Sequence, residues 1–325
     1  MVHRYIKAVG SGQKRARDLT REEAREAMAL VCDGKAAPVQ VGAFLLALRM
    51  KGEAGDELAG FVDTLHARMP RIQAPPGTLD IDCHGDGHLG RPTLLPAAAF
   101  AAVALGVPVL LRCDLSSPYA KHGLRAALES LGLDLSRPLD GPRAVRGLVD
   151  HRIAVLDLAA SCAPLKRLVD LRPQFGVRTV AQTLMKLIDP LFAEARLVGV
   201  FHAPYLPSTA QALAALGPTR ALCVQALGGL PEVSPGKQAR VAWAGAPEPT
   251  LLDLRSLPAP PDGPAPDDNL AALAGQEPAL SRAAAAGAAL LHAALGTPIL
   301  EAAAQIRSEL AGGRARAAAA SLEVW

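Results

Sequence analysis

The chain has 325 residues, half of them apolar and a fifth charged, enough for one large domain or two ordinary ones with a packed core, which excludes a disordered coil. A formal net charge of +3 excludes a uniformly basic, histone-like binder and leaves room only for local basic patches. Aromatic residues make up 3%, so the core must rest on Leu, Val, Ile and Ala.

The first seventy residues read as helices. Residues 1–8 are charged and lack the apolar stretch of a secretory signal. Thr20 with Glu23 forms an S/T-x-x-E capping box that predicts a helix start there, with a stop at Asp33-Gly34. A second helix is expected after Pro38, with Val41, Phe44, Leu45 and Leu48 on one face, and a third over 55–69, ended by Pro70. The rhythm then changes. Short apolar runs at 79–83, 108–113, 153–158, 197–202, 221–225 and 241–244 alternate with helical patterns at 94–105, 119–131, 165–171, 180–188 and 208–216. That alternation predicts an α/β fold: an N-terminal helical domain (1–72) and a larger domain (73–325) with a central, largely parallel sheet flanked by helices. Part of the helical layer is left open to come from later segments. Ligands of such sheets sit at the carboxyl ends of the strands. Residues 246–268 are rich in proline and acids and read as a linker or mobile loop around one short buried piece, 251–257. Residues 280–324 are alanine-rich and helical.

The most apolar region, 97–111, is too short to span a bilayer and is broken by Gly106 and Pro108, so no membrane partner is expected. The five cysteines are far apart, with no CxxC and no zinc-ligand spacing. They point to reduced thiols in a cytoplasmic protein and to no metal site. His84 and His88 are four apart but lie in a Gly-rich turn, where helical facing does not apply.

That turn, Asp80-Ile-Asp-Cys-His-Gly-Asp-Gly-His-Leu-Gly-Arg91, lies between a strand and a helix, where glycines and a helix N-terminus favour a phosphate. Alone the signal is weak, and such a turn is more often a plain tight connection. With FLLALRMKGE at 44–53, Leu128-Glu-Ser-Leu-Gly132 and Arg172-Pro-Gln-Phe-Gly-Val-Arg-Thr179, it resembles the anthranilate phosphoribosyltransferase family, also called glycosyl transferase family 3. The resemblance runs over nearly the whole chain and is least clear after about residue 245. It implies a cleft between a helical and an α/β domain, and a homodimer formed through the helices.

The departures from that family bear on chemistry. Its phosphate loop, GTGGDG, falls without gaps on Cys83, His84, Gly85, Asp86, Gly87 and His88, and only Gly85 matches. A Cβ at Cys83 and a carboxylate at Asp86 would crowd and repel a diphosphate there. A one-residue deletion would instead keep Gly85-Asp86-Gly87 in a shortened loop. The second loop, KHGNRSVSS, falls on residues 112–120, so Arg112 keeps a positive charge while Leu115 takes the asparagine position. The family's magnesium-holding Asp-Glu pair becomes Pro231-Glu232, and one carboxylate is a poor hold on Mg²⁺. Arg172 matches the arginine that faces the acceptor's carboxylate, a structural ion pair being the other reading, and Lys186 replaces a proline.

A closer match is the opening segment from Tyr5 to Thr20, which looks like that of the YbiB proteins, a nucleic-acid-binding branch of this fold. The patterns after Arg167 and at His202-Ala-Pro-Tyr205 resemble the same branch. The resemblance implies non-catalytic binding of nucleic acid, single-stranded or sequence-independent DNA, by a homodimer with no cofactor. The candidate contacts are Lys7, Lys14, Arg15, Arg17, Lys166, Arg167, Arg172, Arg178 and Lys186. The alternative is a phosphoribosyltransferase with an altered phosphoribosyl diphosphate site, using Arg112, Arg172 and Glu232, with magnesium and phosphoribosyl diphosphate as its ligands.

Overall fold

A computed structural model describes residues 1–12, 14–84, 92–119, 123–136, 140–260, 265 and 267–320. Helix α1 (His3–Gly10) precedes α2 (Arg21–Cys32), which starts where the capping box places it: Thr20 Oγ1 accepts from Glu23 N–H and the Glu23 carboxylate accepts from Thr20 N–H. Helix α3 (Pro38–Lys51) begins on a proline whose fixed φ suits a first turn. Helix α4 (Gly55–His66) ends one turn before the expected stop, because the residue ahead of Pro70 is driven out of helical backbone. Helices α2 and α4 touch at Gly60, where a Cβ would lie 2.3 Å from the Arg21 carbonyl oxygen. Phe44 and Phe61 meet edge to face beneath them, with ring centroids 5.9 Å apart.

The sheet has seven strands in the order β3-β2-β1-β4-β5-β6-β7. Strands β1 (Leu79–Asp82), β2 (Val109–Cys113), β3 (Ile153–Asp157), β4 (Ala195–Val200) and β5 (Arg220–Gln225) run parallel. Strands β6 (Gln238–Trp243) and β7 (Ala246–Asp253) are antiparallel. The β6–β7 hairpin corrects the linker expected over 246–268. Gly245 turns the chain at φ +82°, Leu252 and Leu254 are buried, and the outer edge of the sheet tolerates Pro249, which has no N–H to give.

Side chains alternate across the strands, so each face has its own partners. On one face Leu79, Ile81, Val109, Leu111 and Leu197 pack under α5 (Leu95–Ala104) and the buried, alanine-rich α14 (Ala279–Leu295). With them pack α6 (Leu124–Ser130), α13 (Asp268–Leu273), α15 (Ile299–Ala311) and α16 (Arg314–Ala320). On the other face the four N-terminal helices share one core with α8 (Leu158–Ser161), α9 (Ala163–Val169), α10 (Arg172–Phe175), α11 (Val180–Leu187) and α12 (Leu206–Leu216). A helix that the apolar pattern leaves unread, α7 (Gly141–His151), covers the β2–β3 end; its signal is Asp140, whose carboxylate caps Arg143 N–H at 3.0 Å, followed by Pro142. Among the described residues no single helix is long and apolar enough to cross a membrane.

His66 ties the helical layer to the segment after α11. Its Nε2 accepts from Asp189 N–H at 3.0 Å, and burial pushes its pKa down to about 4. The folded protein therefore keeps His66 neutral while the unfolded chain takes up a proton near pH 6.5. This contribution is fully present above pH 6.5 and is lost as pH falls toward 4, by roughly 3 kcal/mol. Urea midpoints at pH 7 and 4.5 should show that loss, and His66→Gln should reduce it.

Candidate active site

The alternation that builds the core also creates a charged layer. Asp80 and Asp82 on β1, Arg112 on β2 and Arg196 on β4 all face away from α5 and lie under α11. Asp80 receives Arg112 Nε at 3.0 Å and Arg196 Nε at 3.1 Å. The same guanidinium groups donate to carbonyls at the end of α11: Arg112 to Met185 and Lys186, Arg196 to Leu187 and Ile188. Cations at a helix C-terminus complement its dipole. From α11, Lys186 Nζ reaches Asp82 Oδ2 at 2.9 Å and the carbonyls of His84 and Gly229 at 2.7 Å each. Asp189 stands 3.8 Å from Arg196. Three carboxylates thus face three cations, and the layer balances without any external ion. Burial pushes the Asp82 carboxyl up, but Lys186 and His84 outweigh it and hold it well below the usual carboxylate range. His84 Nδ1 lies 2.8 Å from Asp82 Oδ1, and burial keeps the imidazole below its ordinary pKa.

The second feature is the N-terminus of α5. Glu232 accepts from Leu94 N–H at 3.1 Å and from Thr93 Oγ1–H at 2.7 Å. Leu95 N–H goes to Thr93 Oγ1, Ala97 N–H to Asn269 Oδ1, and residue 96 is a proline. The donors that a helix start offers a phosphate are therefore already used by the chain itself, one of them by a carboxylate. The segment carrying Glu232 can lie against β4 only because residue 199 is glycine: a Cβ there would sit 2.1 Å from Gly229 O. Between these features, at the carboxyl ends of β1 and β2, is a cavity of about 70 Å³ bordered by Cys83, His84, Cys113, Asp114, Gln182 and Lys186.

Several expectations are corrected here. Arg112 does not face a ribose phosphate; it is fully buried on Asp80, because strand register places the two side by side. Glu232 does not stand open as a metal ligand but caps α5. Lys186 is not a surface cation, since Asp82 draws it inward. Arg17 pairs with Glu23, and Lys166 with Asp170 and more distantly Asp114. Arg172 stacks over Tyr119 at 3.7 Å beside a second small pocket, and Arg178 is exposed before α11. Lys7, Lys14, Arg15 and Arg167 are exposed with no ion-pair partner among the described residues. Cys83 is buried beside Cys113, and burial pushes both thiols well above their usual range. Gly85, Asp86, Gly87 and His88 lie outside the described residues. Asp80, Asp82 and Arg196 were missed, although a charge at every second position of an apolar strand was the available signal.

Comparison with known proteins bears on the family and the fold. The sequence signature of the "Glycosyl transferase family, helical bundle domain" matches residues 3–69, and that of the "Glycosyl transferase family, a/b domain" matches 78–285. The anthranilate phosphoribosyltransferase of Methylobacterium nodulans is 35% identical over 286 residues, 83% of this chain and 80% of that protein. The crystal structure of the Thermus thermophilus anthranilate phosphoribosyltransferase superposes with a TM-score of 0.83 at 27% identity, covering 99% of this chain and 98% of that one. The Saccharomyces cerevisiae enzyme, in complex with PRPP (phosphoribosyl diphosphate) and Mg, shares the fold at a TM-score of 0.78 and 18% identity, covering 99% and 96%. By signature, by identity and by fold, this chain belongs to glycosyl transferase family 3, the anthranilate phosphoribosyltransferase family.

Proposed function

We propose that this protein is a phosphoribosyl- or glycosyltransferase of the anthranilate type with an altered phosphoribosyl diphosphate site. One observation carries the reading: the start of α5, at the carboxyl end of the sheet, is a working anion site, and the anion in it is Glu232. A phosphate of the donor must displace that carboxylate to reach the same N–H and hydroxyl donors. Transfer in such a site depends on positioning the donor and on stabilising charge as diphosphate departs. Magnesium does not fit this donor set: residue 231 is proline, Glu232 is engaged on α5, and no cluster of three metal-ligating side chains exists among the described residues.

A second reading, sequence-independent nucleic-acid binding by a YbiB-like homodimer, is favoured by the exposed cations Lys7, Lys14, Arg15 and Arg167, which have no ion-pair partner among the described residues. The two readings separate in parallel titrations of phosphoribosyl diphosphate and of a labelled single-stranded oligonucleotide. The transferase reading expects phosphoribosyl diphosphate to bind with an affinity that magnesium changes less than about twofold. No binding, or a tenfold gain with magnesium, would contradict it. The nucleic-acid reading expects affinity to fall with salt, with a slope of about −0.7 to −0.9 per phosphate contacted. Lys14→Ala with Arg15→Ala should flatten that slope.

A further inference from the structure

Oxygens from two segments far apart in the chain converge on the Lys186 ammonium. They are Asp82 Oδ2 at 2.9 Å and the carbonyl oxygens of His84 and Gly229 at 2.7 Å each. An ammonium group carries three N–H bonds, and these partners use all of them. The Asp82 side chain is fully buried and that of Lys186 is 19% exposed. Gly229 presents its carbonyl at φ +75°, a backbone conformation that side chains seldom allow. The arrangement is an oxygen cage with a cation in it, and the cation belongs to the chain.

This cage joins two parts of the candidate donor site. Asp82 and His84 lie at the carboxyl end of β1. Gly229 comes shortly before Glu232, whose carboxylate caps the start of α5. A cation bonded to both segments fixes the gap between them, the orienting work that a bound metal ion does in other enzymes. Magnesium does not suit the cage, since it takes six oxygens at about 2.0–2.1 Å, and calcium takes its oxygens at about 2.3–2.6 Å. Oxygens 2.7–2.9 Å from the centre match a cation of ammonium size.

We propose that Lys186 is the resident cation of this site, a positioning residue that holds the end of β1 and the Glu232 segment at the spacing the donor diphosphate meets, in place of an external ion. Its effect on donor binding rests on the altered-transferase reading; the cage does not. Because every N–H is engaged, Lys186 acts on a phosphate through its charge and through the carbonyls it holds. Truncation to alanine leaves a carboxylate oxygen and two carbonyl oxygens around a vacated space, which a free ammonium ion can fill.

The test compares Lys186→Ala, which empties the cage, with Lys186→Met, which keeps the stem and removes the charge. Each folded variant should bind phosphoribosyl diphosphate about tenfold more weakly than the unaltered protein, by calorimetry well below the unfolding temperature. A merely structural lysine would lower the thermal midpoint and leave the affinity of the folded protein unchanged. Ammonium chloride should recover about threefold or more of the affinity lost by Lys186→Ala and raise its midpoint by about 2 °C or more. Tetramethylammonium chloride at the same ionic strength, which has no N–H to give, should do neither. Lys186→Met and the unaltered protein should show no ammonium-specific gain. Unchanged affinity in the folded variants, or no ammonium-specific gain in Lys186→Ala, would overturn the proposal. If Lys186→Ala does not fold, ammonium should restore its folding, and failure to do so counts against the cage, while Lys186→Met still decides the effect on affinity. If the unaltered protein does not bind phosphoribosyl diphosphate, the transferase reading falls, and the midpoint of Lys186→Ala decides the cage alone.

Discussion

Asp80→Ala is expected to be the most damaging single substitution, lowering stability by about 3–5 kcal/mol. Asp80 is fully buried between Arg112 and Arg196, themselves 0% and 1% exposed. It receives Arg112 Nε and Nη2 and Arg196 Nε, all between 3.0 and 3.3 Å. Removing it leaves two guanidinium groups out of water, with the carbonyls at the end of α11, His84 and Asp189 as their remaining partners among the described residues. The attraction that offset their desolvation is gone, while the desolvation remains. Asp80→Asn retains an acceptor and should cost less. The quantity to measure is the urea midpoint of each variant at pH 7. A shift in Asp80→Ala equivalent to less than about 1 kcal/mol would mean that the charged layer contributes little. Because α11 is held by the same arginines, its Gln182 and Lys186 should lose their positions together with stability.

Much of the fold was legible because its signals are local and repeated. The capping box at Thr20, the proline at 38 and the alternation of apolar runs with helical patterns placed α2, α3 and the parallel strands within a few residues. The β6–β7 hairpin was not legible, because prolines in 246–253 argue against a central strand and only the tertiary fact of an edge position admits them. The site was half legible. Strand-end location and the loss of glycines and of a paired carboxylate could be read from motif positions. The destinations of the charges could not, because strand register decides them. Arg112 meets Asp80, Lys186 meets Asp82, and Glu232 meets the α5 N-terminus across separations of 32, 104 and 138 residues. Basic residues counted along the sequence overstated the free surface: Lys186 meets Asp82 only through the fold, while Arg17 with Glu23 and Lys166 with Asp170 are local pairs, the latter at i,i+4.

Glu232 is the resident anion of the α5 start. Hydrogen bonds to a charged partner contribute about 1.5–3 kcal/mol each, and the helix N-terminus adds a favourable dipole. A phosphate therefore competes with a carboxylate that is tethered, close and already paired. Glu232→Gln removes the competing charge and keeps the side-chain shape. Its amide still accepts from Leu94 N–H, so the helix retains a cap and the protein should remain folded. The direct measurement is calorimetric titration of phosphoribosyl diphosphate, without metal, into the unaltered protein and into Glu232→Gln at low ionic strength. The variant is expected to bind at least tenfold more tightly, a difference of about 1.4 kcal/mol or more. Equal or weaker binding by Glu232→Gln would show that the donor does not compete with Glu232, and would contradict the altered donor site described here.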